Sequence, residues 1–551
     1  MIISIVIGLC SCKKATNKNN SKLLVVHARG ISYPQMMNYL ENTESNLYFK
    51  QMQHQGLLKQ LNPITNAVTI SNIASYETGK IPREHGVIGH VFAENNKDGI
   101  TGISGFSKRF DVETFWEKAD LEDKKVLKLG DLTLHGKYQD HNNVDAISQG
   151  KKISSTQFLK LKPELDKELK ITKLVSLDGT NSFSLHSGIA DTINFYSESI
   201  DNTDSLIVDN DFNHSNGYLT ELKLGNWSEL IVLNQENKPL SFKIKWIAQS
   251  SKASEIYIRP AFENKGYPES FINQITNDVG VVTGWPNISM YTSGQIDSDT
   301  LFEEIKFEVE YLMDAFEKAS QYEKYDLIML DYPIMDRIGH SYLNQINNPK
   351  IEDLYQQAFL KMDNDFSQLQ KFAKQNGFEL MITSGHGFSP VHTSVGLNEI
   401  LQNSGIKINT QSNDWHAISV GSKVSAQIYL NKNLEPKAHS QLIVKIKTIL
   451  EQLKSPSSGE YIIEAVYNKQ QQELNQLKHK NFGDLFLLFK PGYVIDNTLQ
   501  KDFGTPVFNG DHGYSLRHKD SYGIIITQEE CDPCSSTSVA KIIEKKLKLN
   551  N

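Results

Sequence analysis

The chain has 551 residues, of which 39% are hydrophobic and 22% charged, with a formal net charge of -8. That length and balance read as one large α/β domain carrying a substantial insertion, and they exclude disordered and fibrous classes. Lysines and acids are mixed along the chain, without the basic footprint that a nucleic-acid polymer would require.

The chain opens "MIISIVIGLCSCKKATNKNNSK". Its apolar run is too short to cross a bilayer, which takes about 20 residues. It suits the h-region of an export signal followed by a polar tether, residues 1–21. Leu9-Cys10-Ser11-Cys12 resembles a bacterial lipobox, in which Cys12 would be lipidated and anchor the protein to a membrane. No Lys or Arg precedes the apolar run, a departure from that pattern. The expected location is therefore outside the cytoplasm, periplasmic or at the cell surface.

Strand-like runs follow at 22–30 (KLLVVHARG), 325–333 (YDLIMLDYP), 378–387 (FELMITSGHG), 483–490 (GDLFLLFK) and 521–527 (SYGIIIT). Apolar runs of this length without strict alternation suit strands buried on both faces. Helical spacing appears at 299–321, 351–375, 438–453 and 538–549. This alternation predicts a three-layer α/β sandwich around a mostly parallel sheet. Residues 135–290 read differently, as an inserted β-rich cap with hairpin-like turns. Core parts are expected at 22–134 and 291–530, and a C-terminal segment at 531–551. In that segment Cys531 and Cys534 form a lone C-x-x-C, expected to be a local disulfide in an exported protein.

The turns after the strands at 22–30, 325–333 and 378–387 hold unusual residues, and in open α/β sheets such turns form the binding crevice. Four segments stand out: "VTISN" leading to "ASYETGKIPREHGVIGH", "LDYPIMDRIGHSY", "TSGHG" and "FNGDHGYS". Each alone is weak. D-x-x-x-H is commonly a solvated helix start, and a threonine before a helix is usually an N-cap.

Together and in this order they resemble the alkaline phosphatase superfamily, and within it the type I phosphodiesterase/nucleotide pyrophosphatase family. Thr69 stands at the family's nucleophile spacing before Thr78-Gly79, and Asn72 matches its asparagine. Asp336 and His340 match D-x-x-G-H, His386 matches the histidine of S-D-H-G, and His512-Gly513-Tyr514 match H-G-Y. The resemblance implies two zinc ions about 4 Å apart, arranged for in-line phosphoryl displacement. It also implies a threonine nucleophile and an asparagine that stabilises the equatorial oxygens.

One metal set is complete by this resemblance: Asp336, His340 and His512. The second keeps Thr69 and His386, but its two carboxylates are replaced by Arg29 and Gly385. A guanidinium about 5 Å from a dication is repelled by roughly 6–7 kcal/mol at an effective dielectric near 20. That weakens binding by a factor on the order of 10⁴. The expectation is one zinc ion, with the second absent. His27, on the same face of its strand as Arg29, is an alternative ligand; Arg29 itself is an alternative phosphate-binding cation.

Two functions follow as expectations. One is an exported phosphoric ester hydrolase with one metal and reduced or altered activity on a small phosphorylated substrate. The other is an inactive relative that binds an anionic ligand or a protein at the cell surface.

Overall fold

The computed structural model describes residues 22–131 and 157–549, except 44–46, 98, 161–171, 176–181, 186–192, 201–202, 210–215, 236–237, 251–252, 262–263, 282–284 and 412–413. The expected export signal and Cys12 lie outside the described residues, as does part of the expected cap.

Eight strands build the central sheet: β1 (Lys22–His27), β2 (Leu58–Leu61), β3 (Val126–Asp131), β4 (Gln157–Lys160), β5 (Lys265–Tyr267), β6 (Leu327–Asp331), β7 (Phe378–Ser384) and β8 (Gly523–Ile526). Their order is β5-β4-β3-β6-β1-β7-β8-β2. The five strands from β4 to β7 run parallel, and antiparallel strands close both edges.

Side chains alternate across this sheet with the period of two that a strand imposes. Leu24, Val26, Ile328, Leu330 and Ile382 enter one core. That core is covered by α2 (Ser298–Ala319) and α4 (Pro349–Asn376). Leu23, Val25, Leu327, Met329 and Met381 enter the opposite core, beneath α5 (Ser536–Leu547) and Tyr76 of α1 (Thr69–Thr78). The expected three-layer sandwich is what forms. Asp297 caps α2 by accepting from the Thr300 N–H, and Asn348 caps α4, each satisfying a donor that helix geometry leaves open.

The run at 483–490 departs from the expectation. Its strand, Leu485–Phe489, belongs to a separate antiparallel sheet with Ile463–Asn468, Ala417–Ser422 and Ser425–Leu430. That sheet has its own apolar core, so its strand is as buried as a central one. A fully apolar run reports burial, not which sheet it joins. The segment 521–527 does enter the central sheet, as antiparallel β8. Within 135–290, hairpin strands pair antiparallel over 231–261, while β4 and β5 extend the edge of the central sheet.

Cys531 and Cys534 are joined in a disulfide. Among the described residues no helix is long and apolar enough to cross a membrane.

His85, in the "TGKIPREHG" stretch, braces α1 from outside the site. Its Nδ1 accepts from the Val87 N–H at 3.2 Å, and its Nε2 faces the Ser75 hydroxyl at 2.9 Å. Burial pushes its pKa down to about 3. Between the unfolded value near 6.5 and pH 3, the unfolded chain takes a proton that the folded chain refuses, so stability falls as pH drops. Replacing His85 with Gln should flatten this dependence by up to about 1.4 kcal/mol per pH unit. Denaturation midpoints measured from pH 7 to pH 4 check it.

Candidate active site

The carboxyl ends of β6, β1 and β7 lie side by side, with His27 in register with Asp331 on one flank and Thr383 on the other. β1 ends in Ala28-Arg29-Gly30. Gly30 has φ +84°, and a Cβ there would stand 2.5 Å from the Asp336 backbone nitrogen. Only glycine lets this turn pass so close to α3 (Ile334–Tyr342). The turn brings Arg29 against the first turn of that helix.

α3 places Asp336 and His340 one turn apart on one face. His512 joins them from the loop after the two-residue strand Gly510–Asp511. Ligand atoms of Asp336, His340 and His512 all lie within 4.8 Å of one another, and all three residues are buried. The His340 Nδ1 lies 2.8 Å from the Gly510 carbonyl oxygen, and the His512 Nδ1 lies 2.9 Å from that of Ala67. Each imidazole thus donates through Nδ1, which leaves an Nε2 lone pair directed inward, as metal-ligating histidines require. Both Nε2 atoms stand 3.9 Å from Asp336 Oδ1. That oxygen is buried and has no hydrogen-bond partner. Burial, aided by neighbouring cations, pushes both histidines well below their ordinary pKa and keeps them neutral.

The other oxygen of Asp336 is occupied twice. Its Oδ2 accepts from Arg29 Nη1 at 3.0 Å and from Arg337 Nη1 at 3.0 Å. Arg337 is fixed in turn by Glu308, at 2.7 and 2.8 Å, and lies over the Trp285 ring. Arg29 is 1% exposed and makes a fork with Asp331, Nε to Oδ1 and Nη2 to Oδ2, each at 2.9 Å. His27 Nδ1 lies 3.5 Å from the same carboxylate. Burial would raise the pKa of both Asp331 and Asp336. For Asp331 the Arg29 guanidinium and His27 outweigh it; for Asp336 the Arg29 and Arg337 guanidinium groups do. Both acids are held ionised, below the usual carboxylate range.

Thr69 is the first residue of α1, with its hydroxyl 3.3 Å from His512 Nε2. Asn72, one turn on, is 1% exposed. Its Oδ1 accepts from the Ser536 hydroxyl at 2.9 Å, while its Nδ2 has no partner. A Cβ built on Gly385 would overlap that Nδ2. The amide of Asn72 therefore fills the space that a side chain at position 385 would need. His386 stacks on His512 with ring centroids 3.7 Å apart and 5° between planes, and burial lowers its pKa to about 3. It does not share the ligand group formed by Asp336, His340 and His512.

The structure thus brings Arg29, Thr69, Asn72, Asp336, His340, Gly385, His386 and His512 together. It adds residues that sequence reading passed over. Asp331 sits in "LDYP", five positions before Asp336, and nothing local marks it as the partner of Arg29. Ser536 follows the C-x-x-C at the start of α5 and reaches Asn72 across the fold. Lys423, on a distant hairpin, places Nζ 3.0 Å from His340 Nε2 and 2.9 Å from Asp511 Oδ1.

Residues 232–515, just over half of the chain, match the family model "Type I phosphodiesterase / nucleotide pyrophosphatase". The chain belongs to that family. Its members are metal-dependent hydrolases of phosphoric esters, typically acting on small phosphorylated substrates. Phosphonoacetate hydrolase from Sinorhizobium meliloti 1021, solved with phosphonoformate, superposes with a TM-score of 0.50 at 11% identity over 96% of each chain. Human ectonucleotide pyrophosphatase/phosphodiesterase 5 superposes with a TM-score of 0.47 at 12% identity over 96% of each chain. The first of these likenesses supports the alkaline-phosphatase-like fold. No curated protein matches the chain in sequence.

Arg29 and Asp331 are interdependent by geometry. Removing Asp331 alone leaves a buried guanidinium short of a counter-charge, a change that costs about 3–5 kcal/mol at buried pairs. Asp331→Ala should lose stability on that scale, and Arg29→Met combined with Asp331→Leu should recover part of it. Chemical denaturation of wild type, the single variants Arg29→Met and Asp331→Leu, and the double variant checks the coupling; additive losses would show the two residues to be independent.

Proposed function

We propose that the chain is a phosphoric ester hydrolase with a single metal site formed by Asp336, His340 and His512, and with activity reduced or altered by the exchange of two acidic positions. The observation that carries this reading is the unpartnered, buried Asp336 Oδ1 facing two inward Nε2 lone pairs. A buried carboxylate oxygen without a donor is costly unless a cation completes it. One carboxylate and two imidazoles form a common three-ligand set for zinc with an open position. A bound zinc would supply Lewis acidity towards a phosphoryl oxygen.

The chain's own groups supply the rest. Thr69 presents its hydroxyl at the amino end of α1, where the open N–H groups and the helix dipole favour a phosphoryl group. Asn72 offers an unpaired Nδ2–H to an oxygen that gains charge during phosphoryl transfer. Arg29 contributes positive charge where the family resemblance implies a second ion, with Asp331 as its counter-charge. On this reading the substrate is a small phosphorylated molecule, and the export and Cys12 anchor expected from sequence would put the reaction outside the cytoplasm.

A second reading, an inactive anion- or protein-binding relative, is favoured by Arg29 being locked between Asp331 and Asp336. Metal counting with turnover of aryl phosphodiesters and nucleotides separates the two. The hydrolase reading expects one zinc per chain, and turnover that drops to background in Asp336→Ala and His340→Ala. Wild-type turnover equal to those controls would sink it and favour the binding module.

Exchanging Gly385 for Asp should lower turnover at least tenfold rather than restore a second metal, because the new side chain displaces the Asn72 amide. Equal or higher turnover with two bound zinc ions would contradict this.

A further inference from the structure

Lys423 is the first of the two residues that turn the hairpin between Ala417–Ser422 and Ser425–Leu430, where Ser422 pairs with Ser425. It has φ +61°, in the left-handed region that residues with side chains rarely occupy. Its carbonyl accepts from the Ile495 N–H at 2.7 Å, which pins this turn against a neighbouring segment. Held in that conformation, the side chain runs inward past the Phe508 ring and ends between Asp511 and His340. Strained backbone of this kind persists where the surroundings over-determine it, and functional sites are where it concentrates.

The end point is specific. His340 donates through Nδ1 to Gly510, so its Nε2 is the only ring atom left to bind a cation. Lys423 Nζ takes that lone pair at 3.0 Å, while Asp511 at 2.9 Å balances the ammonium. An ammonium has no acceptor capacity, so it and a metal ion compete for the one atom.

Resting on the reading that Asp336, His340 and His512 hold a metal, we propose that Lys423 is a tethered cation that occupies the metal's position on His340 and sets the metal affinity of the site. Without metal, the ammonium satisfies His340. On metal binding it gives up His340 and keeps Asp511, remaining beside the site as a positive charge. Metal affinity is accordingly lower than the three ligands alone would give.

The test is zinc binding by the full chain, measured by equilibrium dialysis with metal analysis. Lys423→Met removes the charge at similar length, and Lys423→Gly removes it while suiting the positive φ. Both should lower the zinc dissociation constant at least tenfold, and Lys423→Arg should leave it near the wild-type value. Wild-type affinity in the Met and Gly variants, with Asp336→Ala abolishing uptake, would overturn the role of Lys423 and leave the metal site standing. No uptake by wild type or by any variant would overturn both.

Discussion

The arrangement of the site depends on one buried guanidinium. Arg29 sits where β1 ends, between a carboxylate from the end of β6 and one from the first turn of α3. Burying three charges together is expensive, and the fork geometry with Asp331 is what makes it tolerable. The same guanidinium then sets the state of Asp336. It fills Oδ2 together with Arg337, so only Oδ1 faces the histidines. One residue therefore links the carboxyl end of a central strand, the helix and the group of Asp336, His340 and His512.

Around it, neighbouring groups have adjusted in size and charge. Gly30 lets the Arg29 turn pass under α3. Gly385 leaves room for the Asn72 amide, which Ser536 orients through its oxygen. Asp331 supplies the negative charge that Arg29 requires. Position 29 thus carries a buried cation with its own counter-charge, and at position 385 an amide occupies the space that a side chain would need.

Much of the fold was legible in the sequence. Five buried runs and four helical patterns were each found as elements, because long apolar runs and three- to four-residue spacing are local properties. The placement of 485–489 was not legible, since burial on both faces is the same in either sheet. Thr69, Asn72, Asp336, His340, His386 and His512 were singled out as motif residues, and the fold brings them together. Arg29 and Gly385 stood out because they depart from it. Asp331, Ser536 and Lys423 did not, because each acts only through a partner far away in the chain, and an isolated acid, serine or lysine has no distinguishing pattern.

By itself the sequence determined the family, the three-layer architecture and the order of the motif residues. Those follow from periodicity and from motif order, which are properties of the chain read in one dimension. Tertiary structure decided what Arg29 does, which oxygen of Asp336 is left to face the histidines, and that Lys423 stands on His340. These depend on distances between residues tens to hundreds of positions apart, and on a buried setting where an unpaired charge or lone pair is costly enough to dictate its neighbours.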